Sequence, residues 1–218
     1  MQVTTPQETA QRLVLVGAGA FARELVCWAE HAAAARGTPL ITAFLDASAT
    51  ALDGFDYGLE YAGTIEAYQP REGELLVMAI GDPAAKKRIA ADLLARGARF
   101  AQVIHPSAVI ARSARLGAGV VVCPQVVVSA DAVVGDFVAL NTLSSIGHDV
   151  EIGAYTTLSA HVDLTGSVKV GEACFFGSGA RVVPKVSIGA EARIGAGATV
   201  LRKVAANAVM YTTPAKKL

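Results

Sequence analysis

Up to about residue 104 the apolar positions fall in short runs separated by stretches with helical spacing. Runs at Leu13 to Val16, Leu40 to Leu45, Leu75 to Ile80 and Phe100 to Ile104 read as buried strands. Ala20 to Ala35 and Pro83 to Arg96, the second with proline at its start, read as helices. Strands alternating with helices predict a small α/β unit with a parallel sheet.

After residue 104 the period becomes six. Every sixth residue from Ile104 to Val200 is apolar, seventeen positions in succession, and sixteen of them are Ile, Leu or Val, with Phe176 the other. Gly follows the anchor at 117, 135, 147, 153, 171, 177, 189 and 195. Two places before the anchor the residue is small or β-branched, as at Ala132, Val150, Thr156, Cys174 and Ala198. Neither a helix nor a simple strand alternation produces that pattern. It predicts a stacked coil in which each hexapeptide is a short strand plus a corner. The aliphatic anchor fills the interior, and the adjacent Gly is expected to supply backbone angles that a Cβ resists. Stacked coils satisfy their backbone groups through parallel ladders, so no repeat is stable alone.

Composition narrows this picture. The 218 residues suit one or two domains, and 53% hydrophobic content with 6% aromatic excludes disorder for most of the chain. Mean hydropathy is +0.44, yet no run approaches the roughly 18 to 20 apolar residues of a spanning helix. The polar start MQVTTPQETAQ lacks a basic or apolar signal region, so the expectation is a cytoplasmic protein without a membrane span. The divisions expected are a flexible tail at 1–11, an α/β domain at 12–103 and a coil domain at 104–218. Cys27, Cys123 and Cys174 are scattered and odd in number, reading as reduced buried thiols.

Net charge is zero, but residues 1–103 carry nine basic and twelve acidic groups, and residues 104–218 ten and seven. From Arg181 onward seven basic residues (Arg181, Lys185, Arg193, Arg202, Lys203, Lys216, Lys217) face one acid, Glu191. An anionic ligand near the C-terminus fits this excess. Without aromatic interleaving, nucleic acid is not expected.

Gly17, Gly19 and Ala22 form a GxGxxA turn after a strand and before a helix, where backbone N–H groups and the helix dipole hold phosphate. Asp46 ends the next strand, where an acid can meet a ribose or base. His31 reads as helix surface, His105 as linker and His161 as surface or pocket rim. His148 points outward from the coil, and one coil away on either side lie Ala130 and Gly166, leaving a slot for the ring. Asp149 follows and can fix the tautomer of a catalytic imidazole. His105, His148 and His161 have unsuitable spacings for a three-His zinc site, so no metal is expected.

In order, the Gly-rich turn, FLD, AIGD, IHPSA, LNT, IGHDVEIG and PAKKL make residues 12–218 resemble one family. It is the hexapeptide-repeat sugar acyltransferases, of the sialic acid O-acetyltransferase type, including nucleotide-linked 4-amino-sugar N-acetyltransferases. The resemblance implies a Rossmann-like N-terminal α/β domain followed by a left-handed parallel β-helix with 18 residues per coil. It further implies a homotrimer with acetyl-CoA between neighbouring subunits and a nucleotide-linked amino sugar as partner. By motif match Gly17, Gly19, Ala20 and Phe21 line the diphosphate side, Asp46 and Ala47 the base, Gly81 lies behind them and Asn141 near the sugar. His148 matches the general base and Asp149 its acidic partner. Thr157, Gly166, Ser178, Ala196, Arg202 and Lys216 fall to the acetyl-CoA side, Thr157 standing where the family often has a second His.

The implied reaction is direct acetyl transfer from acetyl-CoA to a sugar amine for surface glycan synthesis, without metal. Rival readings are O-acetylation of a sialic acid or other glycan hydroxyl, a non-catalytic β-helix scaffold, and a nicotinamide-dependent oxidoreductase. Cys123 and Cys174 sit at repeat positions that do not suit a covalent acyl carrier.

Overall fold

Four apolar residues in a row, Leu13 to Val16, require cover on both faces, and β1 (Arg12–Val16) has it. The computed structural model describes residues 12–213. After β1 come α1 (Ala20–Arg36), β2 (Ile41–Leu45), β3 (Glu60–Tyr61), β4 (Glu74–Met78) and α2 (Pro83–Ala95). The strands form a four-stranded parallel sheet in the order β3-β2-β1-β4. Gly37, at φ 69°, ends α1 by donating its N–H to the Ala33 carbonyl. The Asp82 carboxylate caps α2 by accepting from the Ala85 N–H, and Pro83 starts the first turn. The strand β3 was not expected from sequence, because two edge residues make no apolar run. Phe100 makes only an isolated bridge to Leu76, so the strand expected at 100–104 shrinks to Val103–Ile104.

From Val103 to Val200 two-residue strands recur every six residues and, with a last strand at Val209–Met210, stack into three parallel faces of seven, six and five strands. Register is 18 residues: Leu140 pairs with Val122 on one side and Leu158 on the other. This is a parallel β-helix preceded by a small α/β region. Of the seventeen hexapeptide anchors fourteen are buried; Ile104, Ile110 and Leu116 are only half-buried because no coil lies beneath the first.

The glycines beside the anchors do not serve as expected. None of the eight has positive φ; instead a Cβ at Gly153 would lie 2.4 Å from the Gly171 carbonyl carbon of the next coil. Close approach of neighbouring coils is what excludes a side chain there. The left-handed backbone falls two residues later, at the corners, mostly on residues with side chains. One corner stacks Gln125, Leu143, His161, Gly179 and Gly197 at positive φ, and another Asp131, Asp149, Ser167 and Lys185.

The α/β region lies against the seven-stranded face, and one apolar core runs through both. Phe100 meets Phe137 edge-on at 4.8 Å, Phe137 stacks on Tyr155, and Lys87 reaches Glu172 at 2.7 Å. His31 is exposed on α1, as read from sequence, and it is also a partner of His105, read as linker: His31 Nδ1 is 2.8 Å from His105 Nε2 beside Trp28. Packing of α1 on the first coil, at a separation of 74 residues, brings them together. Among the described residues no helix is long and apolar enough to cross a membrane.

Candidate active site

His148 occupies the corner between the strand Ser145–Ile146 of the six-stranded face and Glu151–Ile152 of the five-stranded face. Asp149, at φ 58°, is the left-handed residue of that corner, which turns its carboxylate back to the ring. Asp149 Oδ2 lies 2.7 Å from His148 Nδ1. A carboxylate only accepts, so Nδ1 carries the hydrogen and Nε2 of the neutral ring keeps its lone pair. Both side chains are exposed. The slot expected over the ring is the missing side chain of Gly166: a Cβ there would lie 2.4 Å from His148 Nε2. Gly166, assigned to the acetyl-CoA side, therefore lies directly against the imidazole.

A second feature lies on the adjacent corner, between the seven- and six-stranded faces. A cavity of about 330 Å³ is lined by Phe21 and Glu24 of α1, Gly81, and Asn141, Thr142, Thr157, Ser159, Ala160 and Phe175 of the coil. Four of the expected residues, Phe21, Gly81, Asn141 and Thr157, meet here although the last was assigned to a different ligand. The Asn141 side chain donates from Nδ2 to the Leu158 carbonyl at 2.7 Å, which fixes its amide plane. Ser178 and Ala196 continue the same corner on the coils above, both exposed. Sequence reading missed Glu24 and Phe175, which carry no motif and join the cavity through tertiary packing.

Gly17, at φ +92°, makes the tight turn that ends β1, and a Cβ there would strike Ile80 Cδ1 at 2.6 Å. Gly19 caps α1 without a side chain, leaving the first-turn N–H groups by Ala20 and Phe21 free of any side-chain cap. Asp46 ties this turn down: Oδ2 accepts from the Ala18 N–H at 3.0 Å and Oδ1 from the Ser48 N–H at 3.1 Å. Ala47 beside it is exposed.

The basic excess divides among faces. Arg193 lies over the Phe175 ring at 4.8 Å and 3.7 Å from Asp82. Lys185, Arg202 and Lys203 share the His148 corner, which stacks His148, Gly166, Pro184 and Arg202 at 18-residue intervals. Lys216 and Lys217 lie outside the described residues. Burial pushes the Cys123 thiol up to about 12 and raises that of Cys174, so neither is a ready nucleophile. Among the described residues no three His, Cys, Asp or Glu side chains cluster as metal ligands.

A family model for bacterial transferase hexapeptide (six repeats) matches residues 167–202. A search of curated proteins found no match. Among solved structures, the chain is similar to a His-to-Asn variant of perosamine N-acetyltransferase from Caulobacter crescentus, in complex with CoA and GDP-perosamine. Identity is 32%, coverage 94% of this chain and 95% of that one, and TM-score 0.82. It is also similar to the acetyltransferase domain of PglB from Neisseria gonorrhoeae FA1090, in complex with acetyl coenzyme A. There identity is 29%, coverage 96% and 100%, and TM-score 0.82. WeeI from Acinetobacter baumannii AYE, 22% identical over 94% of this chain and 99% of that one, shares the fold with TM-score 0.81. The six-residue period, the coil it builds and these full-length likenesses agree: the chain belongs to the hexapeptide-repeat, left-handed β-helix sugar acyltransferases, and is an acyltransferase.

Proposed function

We propose that the protein transfers the acetyl group of acetyl-CoA directly to the amine of a nucleotide-linked amino sugar, a 4-amino sugar by resemblance. One observation carries the reading: His148 Nε2 is free while Nδ1 is held by Asp149, on a chain similar throughout to perosamine N-acetyltransferase. An amine attacks a thioester only after losing its proton. His148 Nε2 accepts that proton, Asp149 stabilises the imidazolium, and a backbone N–H holds the developing oxyanion.

In this reading residues 12–103 form a Rossmann-like domain for the sugar nucleotide, and residues 104–218 the acyltransferase β-helix. The Gly19 turn and the first turn of α1 offer N–H groups to the diphosphate, with Asp46 and Ala47 towards the base. Acetyl-CoA runs along the His148 corner: strands about 4.8 Å apart put Arg202 and Lys203 about 14 Å from His148, on the side suited to the CoA phosphates. Ser178 and Ala196, with the cavity, stand on the neighbouring corner. The imidazole and the cavity stand on different corners of one copy, which supports a homotrimer with each site between two subunits. The reaction belongs in the cytoplasm, with acetyl-CoA.

The test is purified protein with acetyl-CoA and either GDP-perosamine or a UDP-linked 4-amino sugar, following thiol release and the product by mass spectrometry. An acid- and base-stable amide on the sugar nitrogen is expected. A base-labile ester overturns N-transfer in favour of a hydroxyl acceptor, and no thiol release overturns the enzyme's assignment to these substrates.

A further inference from the structure

Lys86 is a lysine in an unusual place. It lies in the first turns of α2, is 1% exposed, and points into the junction with the coil. Its Nζ lies 2.8 Å from Thr157 Oγ1 and 3.3 Å from the Thr156 carbonyl. Neither partner is charged, so this is not a buried ion pair. Burying an ammonium that way carries a large desolvation cost, and a methionine would fill the space without it. The arrangement has a use at the cavity, because Thr157 also lines it.

An ammonium has three donors and no acceptor, while a threonine hydroxyl has one donor and two lone pairs. Lys86 therefore takes up a lone pair of Thr157, and the hydroxyl hydrogen cannot turn towards it. No carbonyl or carboxylate among the described residues receives that hydrogen. Thr157 also lines the cavity, with Phe21, Gly81 and Asn141, so an occupant there is the partner left for that hydrogen.

We propose that Lys86 is a positioning residue for the acceptor substrate: it orients the Thr157 hydroxyl, which donates its hydrogen to an oxygen of the nucleotide-linked sugar. This rests on the acetyl-transfer reading, and it moves Thr157 from the acetyl-CoA side to the acceptor side. It also makes recognition depend on the charge of Lys86. A neutral amine has a lone pair that accepts the Thr157 hydrogen and withdraws it from the cavity. Burial, partly offset by Asp82, holds the Lys86 ammonium down to about 7. Asp82 is itself 3.7 Å from Arg193, the coil contributes only the uncharged Thr156 and Thr157, and Glu24 is the ionisable group on the cavity wall. Acceptor affinity should thus fall as pH rises through about 7 to 8.

The experiment uses the full chain and whichever of GDP-perosamine and a UDP-linked 4-amino sugar the wild type acetylates; acetylation of neither overturns the function and this proposal with it. Lys86→Met and Thr157→Val should each raise the acceptor KM on the order of ten-fold or more, the scale of one charge-assisted hydrogen bond. The KM for acetyl-CoA should stay within about two-fold, and Thr157→Ser should restore the acceptor KM. Calorimetric binding of the same probe at pH 6.5 and 8.5 should weaken with pH in the wild type and not in Lys86→Met. A purely structural Lys86 would move the melting temperature and leave the KM split and pH dependence as in the wild type, which overturns the proposal. So would a rise in acetyl-CoA KM alone. If Lys86→Met does not fold, the Thr157→Val and Thr157→Ser pair decides.

Discussion

At the scale of single residues, the proposed chemistry rests on one imidazole, the carboxylate bonded to it and the glycine that leaves room for it. His148→Ala should lower kcat by roughly 10² to 10⁴-fold, the range of general base catalysis. The residue is exposed, so its loss should leave melting unchanged. Asp149→Asn should cost less, and the double variant should be no slower than His148→Ala, because both act on one proton transfer. Steady-state kinetics on the folded variants checks this, and near-normal turnover by His148→Ala would remove the mechanism. Gly166→Ala is the subtler test. Its Cβ would meet the far end of an exposed side chain, and its backbone is outside the left-handed region, so stability should hold within about 0.5 kcal/mol. The ring must move, and kcat should drop towards the level of His148→Ala. The contacts of His148 were legible in the sequence: Asp149 is the next residue, and a fixed 18-residue coil converts the spacing of Gly166 into adjacency. Lys86 and the His31–His105 pair were not legible. They depend on where the two helices land on the coil, and no periodicity crosses that junction.

Elements follow the same division. Hexapeptide anchors reported the coil because one aliphatic per repeat must fill a narrow interior, so the pattern has a period foreign to helices and to ordinary strands. The edge strand β3, and the reason for the glycines beside the anchors, stayed hidden. Two residues give no pattern, and close approach between coils cannot be told from turn geometry in a sequence. The junction of α2 with the coil carries its own prediction. Lys86 titrates near 7 when folded and near 10.5 when its burial is lost, so between those values the unfolded chain binds more protons. Stability from this group therefore rises with pH across that window, and the burial penalty is complete below it. Urea titrations at pH 7 and 9.5 should show Lys86→Met more stable than wild type at the lower pH, with the gap narrowing at the higher. A gap independent of pH would mean that the lysine does not titrate in that window.

For the whole molecule the informative fact is that the imidazole and the cavity stand on different corners of one coil. The proposed homotrimer would join them across subunits, and light scattering should then give three times the 22.4 kDa chain mass. A monomer that turns over would instead require one copy to close both corners. Assembly was an expectation from resemblance, and the separation of corners gives it a physical motive that composition never supplied. The basic excess shows the converse. Charges adjacent in sequence were read as one group, yet the coil sends Arg193 to the α2 junction and Arg202 to the His148 corner.

The 18-residue register also governs how such a chain can lengthen. Each coil pairs only with the ones above and below, so the solenoid behaves as a building of identical storeys. Duplicating residues 167–184 would add one storey, with His148 and the cavity below it undisturbed and every later residue still on its own wall. Inserting a single hexapeptide would satisfy the interior equally well but rotate everything above by one wall. Either insertion would lift Arg193 off Asp82, but only the hexapeptide would also take Arg202 out of the column over His148. The longer variant should keep His148 and the acceptor cavity and melt as cooperatively as the parent, its acetyl-CoA KM moving only as far as one added storey between Arg202 and His148 requires, whereas the shorter insertion should lose the Arg202 column altogether and raise that KM further. Growth of this architecture is thus quantised, and its unit is the full turn rather than the repeat visible in the sequence.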